Sequence, residues 1–407
     1  MQEARGERVN DWNDWNYLND WNGLNRRQTF QASRVAPESM AGNFSIIKRD
    51  AGSSARLGRL VTPHGVIETP AFMPVGTQGT VKAVLPRDLR EMGCQILLGN
   101  TYHLYLRPGH ELVRKLGGLH RFMGWDGPIL TDSGGYQVFS LGAMRKISEE
   151  GARFQSHLDG SSHLLTPEKA VEIQEALGSD IAMVLDECIP HDAGREYVRE
   201  STERTIRWAE RCQQARSRRQ QMMFGIVQGG MFEDLRRWCA EEMAPMPFDG
   251  FAVGGLGVGE GEELLRSISA FTAELLPEDR PRYLMGVGRP EDMLRAVRAG
   301  FDMFDCVIPT RNGRNGTLFT SGGKISIKRA EFADDSRPLD ENCGCYVCSN
   351  FSRAYLRHLF MAGEILASQL NSLHNLYFYH RLLERCREAL RAGRAELWDG
   401  EGAYAGL

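Results

Sequence analysis

Three aspartates stand at the ends of apolar, β-rich runs. Asp132 follows Ile-Leu-Thr, Asp186 follows Met-Val-Leu, and Asp305 interrupts Met-Phe-Asp-Cys-Val-Ile-Pro. A carboxylate in such a place is half buried, and burial or a neighbouring carboxylate raises its pKa. Two of them can divide labour, one attacking as a nucleophile and the other moving a proton, as in glycoside chemistry. Each aspartate alone reads better as a helix cap or an arginine partner; three at successive run ends shift the balance towards a site. Glycine-rich segments lie beside them: Asp-Ser-Gly-Gly-Tyr at 132–136, Gln-Gly-Gly at 228–230 and Gly-Gly-Leu-Gly-Val-Gly-Glu at 254–260. Gly255, Gly257 and Gly259 resemble part of a dinucleotide loop but lack its spacing and βαβ context. Glycine also lets a flat ligand approach the main chain, which suits a cleft better.

Cys343, Cys345 and Cys348 form a C-x-C-x2-C cluster. Three thiolates this close can share a tetrahedral zinc ion, which needs a fourth ligand. His358, His374 and His380 are all available downstream. A closed set of three cysteines and a histidine is structural rather than catalytic. The plainer alternative is a chance group of free thiols. The other cysteines, at 94, 188, 212, 239, 306 and 386, are isolated and the total of nine is odd. With no apolar signal segment at the start, a reducing cytoplasm is expected.

Charge is uneven. The chain carries 49 basic and 53 acidic residues, a net of −4, which excludes a uniformly basic coat for nucleic acid. Yet residues 311–329 hold Arg311, Arg314, Lys324, Lys328 and Arg329 and no acid. Arg381, Arg385, Arg387, Arg391 and Arg394 follow near the end. Cations beside a catalytic cleft suit a phosphate backbone; solvated faces are the commoner origin of such runs. No run of about 18 apolar residues exists, so no membrane helix is expected.

The elements that must position these residues alternate. Strands are expected at 95–98, 128–131, 180–185, 222–227, 250–253, 282–285 and 303–308. Helices are expected at 167–177, capped by Thr166 with Pro167 at its first position, and at 197–218, 262–276, 290–299, 351–363 and 374–391. Strands alternating with helices indicate a parallel sheet. Polar residues spread over the ends of many strands favour an α/β, (β/α)8 barrel, which gathers its chemistry at that face. An open doubly wound sheet would concentrate its site at one switch point. Length alone allows two to four domains. The first forty residues stand apart: Asp-Trp-Asn recurs at 11–13, 14–16 and 20–22, and aliphatic residues are sparse. They read as a disordered extension or as translation assigned too far upstream, with Met40 the alternative start.

Seven motifs then occur in order: TDSGGYQ (131–137), LDEC (185–188), FGIVQGG (224–230), GFAVGGLGVGE (250–260), YLMGVG (283–288), DMFDCVIPTRNGRNG (302–316) and CGCYVC (343–348). Together they resemble tRNA-guanine transglycosylase, also called queuine tRNA-ribosyltransferase, over roughly 44 to 392. The resemblance implies a (β/α)8 TIM barrel with a C-terminal zinc-binding insertion, catalytic over 41–395, with the zinc subdomain at about 335–390 and a tail at 396–407. It implies exchange of the wobble guanine of G-U-N anticodon tRNAs for a 7-deazaguanine, a step of queuosine biosynthesis. Asp305 resembles the family's nucleophile and Asp132 its general acid/base. Asp186, Gln228, Gly255 and Leu256 match the base-recognition set, and Tyr136 and Met285 the groups that sandwich the ring. Arg311 and Arg314 fall in the tRNA-contacting loop. Cys343, Cys345, Cys348 and His374 match the ligands of one structural Zn2+ per subunit. A cytoplasmic homodimer is implied.

Subfamily follows from smaller signals. Val258 stands where the queuine-using enzyme usually has glycine, and Cys188 fits the bacterial pattern; both imply 7-aminomethyl-7-deazaguanine as substrate. The alternatives are a queuine-using transglycosylase and a non-catalytic accessory subunit, which tends to lose the carboxylates kept here. Gly257 departs from the family, where alanine or serine is frequent.

Overall fold

The computed structural model describes residues 44–140 and 145–393. The expectations for residues 1–40 and 396–407, and Arg394, lie outside the described residues. An antiparallel sheet of β1 (Phe44–Arg49), β2 (Arg56–Thr62) and β3 (Gly65–Thr69) comes first. Three barrel strands follow: β4 (Ala71–Gly76), β5 (Leu97–Gly99) and β6 (Ile129–Thr131). A second antiparallel sheet, β7 (Arg145–Ile147), β8 (Ala152–Gln155) and β9 (Ser162–Leu165), interrupts them. The barrel then resumes with β10 (Ile181–Met183), β11 (Met222–Val227), β12 (Gly250–Val253), β13 (Arg282–Leu284) and β14 (Met303–Cys306). A hairpin, β15 (Thr317–Thr320) and β16 (Gly323–Ser326), comes after it.

The eight barrel strands are parallel and close on themselves in the order β4-β5-β6-β10-β11-β12-β13-β14. Closure is made by β14 against β4, from Met303 opposite Ala71 to Cys306 opposite Pro74. Strands covered on both faces must be apolar throughout; β5, β6, β10, β11, β12 and β13 are buried at every residue. Seven of the eight answer to expected strands. The eighth, β4, escaped the sequence reading because Pro74 sits inside it, and proline has no N–H for a ladder.

Helices return the chain between strands. Pro167–Leu177 starts where expected, and Thr166 Oγ1 accepts from Lys169 N at 3.1 Å. Arg195–Ala215, Glu262–Leu275 and Pro290–Arg298 shift by at most three residues from expectation. The last helix, Ile365–Ala392, starts nine residues earlier than expected. Gly363, not the run before His374, is the break; the helix expected at 351–363 is Arg353–Met361.

Two buried aspartates staple the N-terminal face of the barrel. Asp302, just before β14, receives Arg56 Nε at 3.1 Å and Nη2 at 2.6 Å, Arg282 N at 2.7 Å and Thr69 Oγ1 at 3.3 Å. Asp180, just before β10, receives His64 Nδ1 at 2.8 Å, His120 Nε2 at 3.0 Å, Ile129 N at 2.8 Å and His64 N at 3.3 Å. Four donors saturate each carboxylate. Burial opposes ionisation of Asp180, but the hydrogen bonds from His120 and His64 outweigh it and hold the carboxyl down to about 2. A depressed carboxylate stabilises the fold above its unfolded pKa and loses that stabilisation as pH falls through the folded one. The stability gap between wild type and Asp180→Asn, measured by chemical denaturation, is therefore expected to shrink by about 2 kcal/mol between pH 4 and pH 2. A gap independent of pH over that window would contradict the assignment.

Candidate active site and metal centre

The closed order sets six sequence-predicted residues on six consecutive staves. Asp132 follows β6, Asp186 lies beyond β10, Gln228 follows β11, Gly255 lies beyond β12, Met285 follows β13, and Asp305 is within β14. All sit at the C-terminal end of the barrel. Residues more than 170 positions apart in sequence thus share one mouth.

Asp132 is buried. Its Oδ1 accepts from Thr101 N at 2.8 Å, and its Oδ2 from Gln137 Nε2 at 2.9 Å and from Asn100 Nδ2. Burial pushes its carboxyl up to about 6 despite these donors, and the charge of Asp305 adds to the rise. Asp305 is half-buried. Tyr283 OH, at 2.6 Å, and Gly286 N, at 2.8 Å, both donate to its Oδ1. Burial raises its pKa while these two donors oppose the rise. Burial, with Asp305 beside it, pushes the Tyr283 phenol well up, so it stays a donor. The mouth therefore holds one carboxyl poised to exchange a proton near neutrality and one with an oxygen, Oδ2, that neither donor touches.

Asp186 forms a second polar group. Gln228 Nε2 donates to its Oδ2 at 2.8 Å and Ser133 Oγ to its Oδ1 at 3.3 Å. Burial lifts this carboxyl too, to about 6. Gly135 makes the approach possible: a Cβ there would lie 2.6 Å from Asp186 O and 2.9 Å from its Oδ1. Gly255 has φ +68°, and a Cβ would fall 2.4 Å from Gln228 Oε1. That Oε1 is buried without a hydrogen-bond partner, an acceptor that a ligand N–H would satisfy. Leu256 is buried beside them, Met285 is half-buried, and Tyr136, on helix Gly135–Ser140, is 53 % exposed.

The basic residues divide. Arg311 is exposed and Arg314 half-buried on helix Ile308–Arg314, directly after Asp305. Arg314 Nη1 is buried with no partner, and burial plus Arg311 lowers its pKa. Two cations that repel each other are ready for an anion. Lys324 instead lies over the Phe319 ring and Lys328 over the Phe360 ring, and Arg329 pairs with Glu331 at 3.3 Å. Three cations of the last helix have partners within the protein. Arg381 pairs with Glu384 and Glu388, Arg387 donates to Pro70 O at 2.7 Å, and Arg391 pairs with Glu68. These cations fasten the helix to itself and to the barrel's N-terminal side.

Cys343, Cys345, Cys348 and His374 converge, with ligand atoms all within 4.8 Å of one another. His374 Nδ1 is 3.9, 3.5 and 3.4 Å from the Sγ atoms of Cys343, Cys345 and Cys348. A tetrahedral ion at ordinary Zn–S and Zn–N bond lengths needs edges of about 3.6 Å. The donor set therefore fits a metal ion of the zinc class. His374 Nε2 bonds Phe319 O at 2.7 Å, which fixes the tautomer that presents Nδ1. Of the other histidines, His358 lies on helix Arg353–Met361, and His380 is buried near Phe72, with burial holding it down to about 3.

A family model described as queuine tRNA-ribosyltransferase matches residues 50–401. A queuine tRNA-ribosyltransferase of Caldanaerobacter subterraneus subsp. tengcongensis is 60% identical over 352 residues, which is 86% of this chain and 94% of that protein. The one of Solidesulfovibrio magneticus is 60% identical over 362 residues, 88% of this chain and 96% of that protein. The chain belongs to the queuine tRNA-ribosyltransferase family.

Several residues around the barrel mouth were given no role by the sequence. Asn100, which no quoted motif includes, and Gln137 and Tyr283, which lie inside quoted motifs without an assigned role, bond the two carboxylates. Glu260 takes Gly257 N at 2.5 Å and Val258 N at 2.9 Å, which folds the glycine loop back on itself. Two cysteines without an earlier role gain one: Cys212 Sγ accepts from Leu185 N and Cys239 Sγ from Gln228 N, each at 3.4 Å. Burial pushes both thiols up to about 12, so they are inert caps on strand ends. For the metal centre, Cys345→Ala is expected to lose the stoichiometric ion, read by elemental analysis, and to lower folded yield. Full retention of the ion would remove Cys345 from the ligand set.

Proposed function

We propose that the chain is a tRNA-guanine transglycosylase, a pentosyltransferase that exchanges the wobble guanine of G-U-N anticodon tRNAs for 7-aminomethyl-7-deazaguanine. The observation that carries this reading is the unequal pair at the mouth: Asp305 with its donors on one oxygen, and Asp132 buried and raised to about 6. Asp305 Oδ2 attacks the anomeric carbon, the bond to guanine breaks, and a ribosyl ester forms. Asp132 gives its proton to the departing guanine. It then takes the N–H proton of the incoming base, whose nitrogen attacks the same carbon and releases Asp305. Each step conserves its proton on Asp132.

Asp186 accepts from the ring N–H and exocyclic amine of the base, the second Nε2–H of Gln228 and the Gly255–Leu256 peptide N–H donate to its carbonyl, and Gln228 Oε1 accepts from a further N–H. The unpartnered Gln228 Oε1 supports a polar flat ligand there. Tyr136 and Met285 stack on the ring faces. Arg311 and Arg314, without the local partners that occupy Lys324 and Lys328, hold the RNA backbone. Half-buried Val258 narrows the pocket against the bulk of queuine. The metal ion is zinc, held by Cys343, Cys345, Cys348 and His374; it is structural and supplies no chemistry to the exchange. The metal segment spans about 335–390 within a catalytic unit of 41–395. The enzyme works in the cytoplasm, where the nine unpaired thiols persist. It works as a homodimer, a reading favoured by the exposed Tyr346, Met361 and Ile365 near the metal centre.

Labelled guanine is expected to enter a G-U-N anticodon tRNA, with 7-aminomethyl-7-deazaguanine competing better than queuine; no incorporation, or the reverse order, would overturn the activity or the substrate. Asp305→Asn is expected to yield no covalent tRNA adduct on a denaturing gel, and an adduct would sink the nucleophile. The pH profile of kcat/KM is expected to be bell-shaped, rising as Asp305 ionises and falling as Asp132 loses its proton. Gln137→Met removes a donor to ionised Asp132, so the alkaline limb moves to higher pH. An unmoved limb would mean another group carries the proton.

A further inference from the structure

Arg236 lies on helix Glu233–Met243, one of the largest fully buried side chains of the protein. No motif in the sequence includes it. A guanidinium withdrawn from water must find acceptors for its fork of N–H groups. Its three hydrogen bonds all go to main-chain carbonyls: Nε to Gly230 O at 2.9 Å, Nη1 to Val227 O at 3.2 Å and Nη2 to Gly254 O at 3.0 Å.

The three carbonyls have a common logic. Val227 and Gly230 bracket Gln228 at the end of β11, and Gly254 precedes Gly255 at the end of β12. One planar group therefore ties two neighbouring strand ends from behind the mouth. In front of it, Gln228 Nε2 holds Asp186 at 2.8 Å and Gln228 Oε1 faces Gly255. The spacing between the Gln228 amide and the Gly255–Leu256 peptide is thus set through Arg236. A flat bicyclic base bonded to both groups needs that spacing held within a fraction of an ångström.

We propose that Arg236 is a positioning residue for base recognition, one that fixes Gln228 and the Gly255 peptide without touching the ligand. The inference rests on the function proposed above. A lysine does not replace it, because a point-like ammonium on a flexible stem lacks the rigid fork that spans Gly230 O, Val227 O and Gly254 O together.

The test uses Arg236→Lys, which keeps the charge and most of the volume, and Arg236→Met, which keeps only the volume. Guanine affinity is measured by calorimetry without tRNA, and KM for guanine and for tRNA in the exchange assay, with thermal unfolding alongside. For Arg236→Lys, guanine Kd and KM are expected to rise about tenfold, the loss of one hydrogen bond's worth of affinity, with KM for tRNA within about twofold of wild type. Arg236→Met moves the same way and further. Unchanged guanine affinity in Arg236→Lys overturns the proposal, as does a parallel rise in both KM values, which marks general loosening. If Arg236→Met does not fold, Arg236→Lys decides. A wild type that incorporates no guanine would instead overturn the function itself, so the two failures are distinct.

Discussion

Closure of a parallel barrel is the constraint on which everything else depends. When β14 pairs with β4, eight strand ends of one polarity are forced into a ring. Each face of that ring then receives carboxylates that the barrel core cannot solvate. The two faces treat them oppositely. On the N-terminal face Asp180 and Asp302 meet four donors each, and the hydrogen bonds hold Asp180 down to about 2. On the C-terminal face Asp132, Asp186 and Asp305 meet two or three donors each, and burial wins, so all three are raised. The same side chain at the same kind of junction is saturated with donors at one end and left short of them at the other.

The metal centre is built into the barrel rather than hung from it. His374 lies on Ile365–Ala392, the helix that also packs against helix Ile308–Arg314 after Asp305. The next residue, Asn375, is fully buried: its Nδ2 donates to Pro309 O and Thr317 O, each at 3.0 Å, and its Oδ1 accepts from Phe319 N at 3.0 Å. Asn371 Nδ2 reaches Gly313 O at 3.2 Å. One helix therefore carries a metal ligand on one turn and the supports of the Arg311 and Arg314 segment on the same and the preceding turn. Any ion that fixes His374 also limits the movement of that segment. Tyr379, one turn on, donates to Gly288 O beyond β13 and continues the support towards Asp305.

Much of this was legible in the sequence. Barrel strands are continuous apolar runs, so seven of eight stood out, and the residue just past each run was necessarily at the mouth. Cysteines spaced two and three apart can converge through local geometry alone, which is why three members of the candidate metal site were plain. The fourth was not: spacing left His358, His374 and His380 open, and only resemblance to a family singled out His374. The strand β4 was missed because Pro74 argues against a ladder, and a closed barrel overrides that local preference. Charge in a sequence says nothing of partners: Arg391, Arg381 and Arg387 of the last helix are engaged by Glu68, Glu384 and Pro70 O.

The sequence by itself determined the types of group and their alternation: aspartates, glutamine and glycines at run ends, a thiol cluster, a basic segment, and helices between. These follow from composition and periodicity along the chain. Only the tertiary structure decided which ends are neighbours and how many donors each carboxylate meets. It also decided that Arg236, silent in the sequence, joins the β11 and β12 ends. These are properties of space between residues far apart in the chain, set by barrel closure and burial.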